Sequence, residues 1–401
     1  MTAAVPDLTT PPPPIAPEEF AARRALALRV AAEHELDGLL VWGSRNWPWA
    51  VRWLADHQSG FMQQGAASTF GDKGFSVLVL PAEGEPILVL DQRVRAGEVA
   101  IEDARTGPTI TPAVADALRE TGLVGKRVGI VGEGALLDRQ RREVEAALGT
   151  SLGLIPADRW IEPLAQIKSP AEQELLRYAA RVGSAWMEAM MEAVAPGRTE
   201  ADLVAAGLPI MLAAGGWPMD VVAGSGNPAR PQAERGIPSF DARRPFAAGD
   251  LVRVDGFGPV AGGYYCDLAR SACVGAEPTD EQRAVLEQAV ELIDLLVAAL
   301  RPGATFGSVH DLGVDYLVQH GHPPHGYFEG FWPAFGHQLG LGTTGPFVSE
   351  GETALVQPGM SLSLEIVVGT PATGGISHEE CVIVHEDRVE VTTASCRQRW
   401  W

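Results

Sequence analysis

The sequence predicts an N-terminal α/β domain followed by an α+β domain built from two related halves. Three observations carry this. Short apolar runs alternate with turns and amphipathic stretches over roughly the first 160 residues. A strong helix-start pattern then opens at Ser169, and the chain beyond it repeats itself.

Residues 1–16 include the run Pro11–Pro14 and have neither a charged leader nor an apolar core, so they are expected to form a flexible tail rather than a signal peptide. Helical periodicity covers 18–35. Apolar runs at Gly38–Trp42, Ser76–Leu80, Pro86–Leu90 and Val128–Val131 predict strands, and 137–148 predicts a polar helix. These make a first domain over 17–163. In Ser169-Pro170-Ala171-Glu172, Ser is an N-cap, Pro takes the first helical position and Glu sits at N3. The helix should run to about Val194, inside a second domain over 164–401.

Within that domain Pro196-Gly197-Arg198-Thr199 matches Pro302-Gly303-Ala304-Thr305. At the same offset Gly207 matches Gly313, Gly215 matches Gly321, and Pro218 matches Pro324. Each copy predicts a Thr-capped helix ended by Gly. Each is followed by an apolar strand ending in a carboxylate, a Gly-rich turn and a second carboxylate. The first hairpin supplies Asp255 and Asp267, the second Glu365 and Glu379. Pseudo-symmetry would bring the hairpins together across one cleft. Buried carboxylates are costly alone, so four together call for a cation. With His337, flanked by Gly336 and Gly340, they form a five-residue candidate ligand set. Four carboxylates and one imidazole suit two divalent ions of the Mn, Co or Fe kind better than one structural zinc.

Composition excludes several classes. Net charge is −20, with 51 acidic against 31 basic residues, and the only lysines are Lys73, Lys126 and Lys168. No basic stripe supports nucleic-acid binding. No run of about 18 apolar residues could span a membrane. Cys266, Cys273, Cys381 and Cys396 form no Cys-x-x-Cys pair, which points to a reducing cytoplasm.

The segments around these acids resemble a known family. Gly263-Tyr264-Tyr265-Cys266-Asp267-Leu268-Ala269-Arg270-Ser271 resembles the Gly-Tyr-x-x-Asp-x-x-Arg-Thr segment of the pita-bread metallohydrolases. Gly336-His337 with Gly340, Pro358-Gly359-Met360 up to Glu365, and Ile376-Ser377-His378-Glu379-Glu380 resemble the family's other ligand segments. Ile167 to Glu172 resembles the usual opening of the catalytic domain, and Arg45-Asn46 with Val51 to Leu54 resembles the creatinase-type N-domain. The resemblance implies Asp255, Asp267, His337, Glu365 and Glu379 as ligands of two metal ions. It also implies a homodimer and a hydrolase of an amide or peptide-type C–N bond on a small-molecule or dipeptide-sized substrate. Glu365 would take the proton of the attacking water.

The chain departs from the family in places. Asp255 and Asp267 are twelve apart, where the family usually shows eleven, and the glycines between them could absorb one turn residue. Where the peptidases carry histidines, this chain has Gln232, Pro333 and Thr344, which cannot titrate near neutrality. That favours a specialised small substrate. Candidates for the missing acid–base work are His322, His325 and Tyr264. Candidates for substrate binding are Gln232, Arg230, Trp332 and Tyr265. His378 should face away from Glu379 if its segment is extended. A metal-dependent lyase on a small carboxylate, similar to the dimethylsulfoniopropionate-cleaving branch, is the alternative, and a non-catalytic binding module a second.

Overall fold

A computed structural model describes residues 8, 10–60, 71–95, 97–107, 109–230, 238–328 and 332–401. It divides into two compact units, one over Pro14–Gln166 and one over Ile167–Trp401 together with the stretch before Pro14.

In the first unit, α1 (Pro17–Glu33) leads into β1 (Gly38–Ser44), α2 (Trp49–Ala55), β2 (Phe75–Pro81), β3 (Ile87–Leu90) and β4 (Asp103–Thr106). Then come α3 (Thr111–Glu120), β5 (Val128–Val131), α4 (Asp138–Leu148), β6 (Leu154–Pro156) and α5 (Asp158–Gln166). One mixed sheet has the order β4-β3-β2-β1-β5-β6. Its central strands β1, β2 and β5 are buried along their whole length, which is why they read as unbroken apolar runs. The sequence did not mark β4, Asp-Ala-Arg-Thr at the sheet edge, because it carries no apolar run.

The second unit is two copies of one plan. The first copy is α6 (Pro170–Glu192), α7 (Glu200–Ala213), β7 (Asp220–Gly226), β8 (Leu251–Pro259) and β9 (Tyr265–Cys273). The second is α8 (Asp280–Ala299), α9 (Phe306–Gln319), β10 (Gly336–Leu339), then, after β11 (Thr343–Thr344), β12 (Ser361–Thr370) and β13 (Gly374–Val384), with β14 (Val389–Val391) at the end. The strands order as β7-β8-β9 and β11-β10-β12-β13-β14. Cross-links join β9 to β13: Ser271 Oγ donates to the Ser377 carbonyl, and Ser377 N–H donates back to Ser271 Oγ, each at 2.9 Å.

The repeated residues do repeated work. Thr199 caps α7 by accepting from Asp202 N–H, and Thr305 caps α9 by accepting from Ser308 N–H. Gly207 lets α7 press on Trp186, where an added Cβ would come within 2.6 Å of the ring. Gly313 does the same for α9 against Phe335, at 2.8 Å. Ser169 and Glu172 form the reciprocal cap that opens α6. Apolar side chains of α6 and α7 pack on β8 and β9, and those of α8 and α9 on β12 and β13. The opposite face of the strands is left for the cleft.

Candidate metal centre

Strand alternation decides which side chains reach the cleft. On β12 and β13, Glu365 and Glu379 are directly paired. On β8 and β9 the pair facing Asp267 is Phe257, so Asp255 lies on the same face but two residues along. Pairing is unbroken from Leu251 to Pro259, so the extra residue between the aspartates sits in the turn. There Gly262 and Gly263 adopt φ of 77° and 81°.

His337 enters from β10 beside Ser363 of β12. Its Nδ1 lies 3.1 Å from the Gln338 carbonyl, which places the ring proton there and turns the Nε2 lone pair to the carboxylates. Nε2 is 3.5 Å from Asp267 Oδ2 and 3.6 Å from Glu365 Oε1. The five residues form two groups that share Glu379. Ligand atoms of Asp267, His337 and Glu379 lie within 4.8 Å of one another, as do those of Asp255, Glu365 and Glu379. The first group is buried; Asp255 and Glu365 are half-buried.

The electrostatics are those of a site with more buried acids than cations. Burial pushes Asp255 up to about 7, and Arg253 pulls it part of the way back. Burial likewise lifts Glu365 to about 7 against the Trp332 indole N–H, which hydrogen-bonds to it. Burial and the neighbouring carboxylates drive Asp267 and Glu379 well above the usual carboxylate range. Burial lowers His337. Glu379 Oε1 accepts from Ser363 Oγ at 2.7 Å, while its buried Oε2 has no hydrogen-bond partner among the described residues. An orphaned buried carboxylate oxygen beside three more acids and a neutral imidazole fits divalent cations as the missing partners.

A cavity of about 300 Å³ opens over this cluster. Val222, Phe257, Trp332, Ile366 and Val367 give it an apolar wall, and His325 lines it too. His325 stands 5.5 Å, ring to ring, from buried His310, which packs on Phe335.

Other expected residues lie elsewhere. Tyr264 is buried away from the cavity lining, its hydroxyl donating to Glu172 Oε1 at 2.8 Å, so it braces the start of α6. His322 bonds Gln288 Oε1 on α8 at 2.8 Å, held there by the turn that ends α9. Tyr265 packs with Leu339 and Cys381 rather than lining the cavity. Arg230 pairs with Asp241 and Glu200, at 3.4 and 3.7 Å, instead of facing a substrate. Gln232 lies outside the described residues. His378 faces away from the cleft, 3.3 Å from Glu380. Arg253, which was not anticipated, lines the cavity. Period-two counting from Asp255 along β8 would have found it.

This arrangement defines a two-centre acidic cleft on a duplicated α+β scaffold. The model of metallopeptidase family M24 matches residues 174–386, and the chain belongs to that family. It is 28% identical over 377 residues to a "Probable dipeptidase PepE" of Mycobacterium tuberculosis (strain H37Rv), covering 92% of this chain and 93% of the relative. It is 26% identical over 245 residues to an "Xaa-Pro dipeptidase" of Pyrococcus furiosus, covering 60% of this chain and 67% of that one. Among solved structures, it is similar to dipeptidase PepE from Mycobacterium ulcerans, with a TM-score of 0.77 at 23% identity over 97% of this chain and 99% of that one. A prolidase from Pyrococcus horikoshii OT3 superposes with a TM-score of 0.74 at 18% identity, over 94% and 99%.

Proposed function

We propose that the chain hydrolyses the C–N bond of one small, dipeptide-sized amide, using two divalent cations held by Asp255, Asp267, His337, Glu365 and Glu379. The observation that carries this is the pair of ligand groups that share Glu379, with Asp255, Asp267, His337 and Glu365 lining the 300 Å³ cavity. Kinship with named dipeptidases supports the reaction class. The carboxylate-rich donor set favours Mn, Co or Fe over Zn.

Bound cations would supply Lewis acidity and acidify a water. The chain's own residues do the rest. Glu365, half-buried at the cavity wall, accepts the proton of the attacking water and passes it to the leaving nitrogen. The Trp332 N–H favours the anionic form of Glu365, against the burial that lifts it. The apolar wall excludes bulk water and packs the substrate side chain. His325, which lines the cavity, supports the reading as the side chain that meets the leaving group. Thr344 and Pro333, standing where the peptidases' histidines would be, support a narrower substrate than a general Xaa-Pro dipeptide.

The test is a screen of Xaa-Pro dipeptides against N-acylated and amidated amino acids, with Mn, Co, Fe and Zn, in ¹⁸O-labelled water. Turnover of one small amide with label in the product supports the proposal. Broad Xaa-Pro cleavage would remove the specialised substrate. A product without label would replace hydrolysis by elimination. The expected homodimer is checked by light scattering on the same sample.

A further inference from the structure

We infer that His310, buried behind the cavity lining, fixes the tautomer of His325. His325 then presents a bare nitrogen to the cavity and selects amides that carry an N–H at the scissile nitrogen. This rests on the hydrolase reading above and deepens it by naming the substrate class. His310 is a positioning residue, and His325 is the one that touches substrate.

His310 stands one turn before Gly313 on α9, on the same face. Gly313 lets that face press on Phe335, and His310 packs on the same ring at 5.2 Å between centroids. Phe335 is tied to the ligand strand in turn, since its carbonyl accepts from Glu365 N–H at 3.2 Å. The loop that carries His325 is pressed onto β12. Gly326 has φ 71°, and an added Cβ there would clash with the Val367 carbonyl oxygen. Ile366 and Val367 line the cavity at that point, as His325 does. The two imidazoles meet from α9 and from this loop, 5.5 Å apart and tilted by 35°.

Hydrogen bonding decides the tautomers. His310 Nδ1 lies 3.2 Å from Asp311 Oδ1. A carboxylate only accepts, so the proton sits on Nδ1 and the neutral ring keeps a lone pair on Nε2. His310 is 2% exposed, and Nε2 has no hydrogen-bond partner among the described residues. Of the two rings packed on it, Phe335 and His325, only His325 has an N–H to offer. Hydrogen bonds of this kind are often long without substrate and tighten in the complex. A small turn of the half-buried His325 closes this one and leaves its other nitrogen as an acceptor in the cavity. There it accepts the N–H of the scissile amide, which turns the developing nitrogen lone pair toward the proton carried by Glu365. No proton changes hands at His325. A tertiary amide, such as an Xaa-Pro bond, has no N–H and leaves this acceptor unmet, at a cost in the transition state. The bland alternative is that His310 is a core residue that only packs on Phe335, while His325 exchanges tautomers freely.

The experiment uses the full chain, labelled with ¹⁵N at histidine and supplied with diamagnetic Zn²⁺. Long-range ¹H–¹⁵N spectra are assigned with His310→Phe and His325→Gln. The wild type should show His310 protonated at Nδ1 and His325 in one tautomer. Asp311→Ala changes a side chain that is 73% exposed, so the fold is kept, and both rings should become tautomer mixtures. His310→Phe should leave His325 mixed. In kinetics, the wild type should cleave an N-acylalanine at least about tenfold better in kcat/KM than its N-methyl counterpart. His310→Phe and Asp311→Ala should lower kcat at unchanged KM and shrink that preference, which a purely steric pocket would keep. A mixed His325 in the wild type, or a fixed one in Asp311→Ala, overturns the inference. So does equal or better cleavage of the tertiary amide. Should His310→Phe fail to fold, Asp311→Ala decides alone. A fixed His325 in a chain that cleaves no amide overturns the hydrolase reading and leaves the pairing of the two rings standing.

Discussion

The guanidinium of Arg270 donates to the carboxylate of Glu380 at 2.7 Å, and both side chains are sealed from solvent at 0% and 2% exposure. The same guanidinium donates to the Glu379 carbonyl at 2.6 Å, so β9 holds the backbone of β13 directly behind Glu379. Removing one partner of a buried ion pair leaves the other charge uncompensated. Arg270→Met should therefore cost about 3–5 kcal/mol in urea unfolding. Arg270→Met with Glu380→Leu should recover much of that loss. If the double variant is as unstable as the single, the pair is not the cause.

Gly374 opens β13 at φ 72°, and an added Cβ would stand 1.9 Å from the Ala229 carbonyl oxygen. Ala229 N–H in turn donates to the Thr373 carbonyl, locking the end of β7 against the β12–β13 turn. Gly374→Ala combines backbone strain with a backbone clash, and should lose more than about 2 kcal/mol. Gly84, with φ 101° and open space around it, is the control: Gly84→Ala carries the strain without the clash. Thermal unfolding of both variants separates the two costs.

His57 in the first unit is 5% exposed, and its Nε2 has no hydrogen-bond partner among the described residues. Burial holds its imidazole down to about 4, against the pull of Asp91. Between the unfolded value near 6.5 and that folded value, the unfolded chain binds the extra proton and the folded chain does not. Stability associated with this residue is thus fully present above about 6.5 and is lost as pH falls toward about 4, by up to about 3 kcal/mol. His57→Gln should flatten the fall in stability over that window relative to wild type, as measured by urea unfolding at several pH values. An identical pH slope in the two proteins would contradict the neutral burial.

Trp332 walls the cavity and bonds Glu365, and its ring meets Phe347 edge-on at 5.9 Å. Given the proposed hydrolysis, Trp332→Phe keeps the wall but removes the N–H, and should lower kcat with little change in KM. Trp332→Ala removes both and should also raise KM about tenfold, as expected for losing an aromatic contact worth about 1.4 kcal/mol. Equal KM values in the two variants would show that the ring does not touch substrate.

The duplicated hairpins, each with a carboxylate at its strand end and another past a Gly-rich turn, made the cleft readable in the sequence. Asp267, Glu365 and Glu379 stand in strands with definite faces, and the duplication said that the hairpins should meet. His337 could be added because small residues on each side allow close approach. Several failures lie where alternation stops. Tyr264 was expected at the cleft because it borders Asp267, but it follows two glycines at positive φ and precedes β9, and its side chain turns to α6 instead. His322 sits between Gly321, at φ 81°, and Pro323, in a segment with no period at all. Arg230 was expected near substrate because of its position in the chain, but acids brought in by α7 and by Asp241 claim it. The edge strand β4 escaped notice for a different reason: two of its four residues are charged.

Strand β13 carries Glu379 toward the cleft and His378 and Glu380 toward the back, with every position along it buried. Two successive glutamates with opposite duties create a hazard during folding. A slip of one residue would still put a carboxylate into the cleft and another near Arg270, so charge alone barely distinguishes the right alignment from the wrong one. The decision falls to neighbours that cannot be exchanged: Cys381, whose thiol donates to the Asp267 carbonyl at 2.9 Å, and the turn at Gly374, where no side chain fits. Faithful alignment of the catalytic strand is thus enforced by a thiol and a glycine, not by the acids whose positions depend on it.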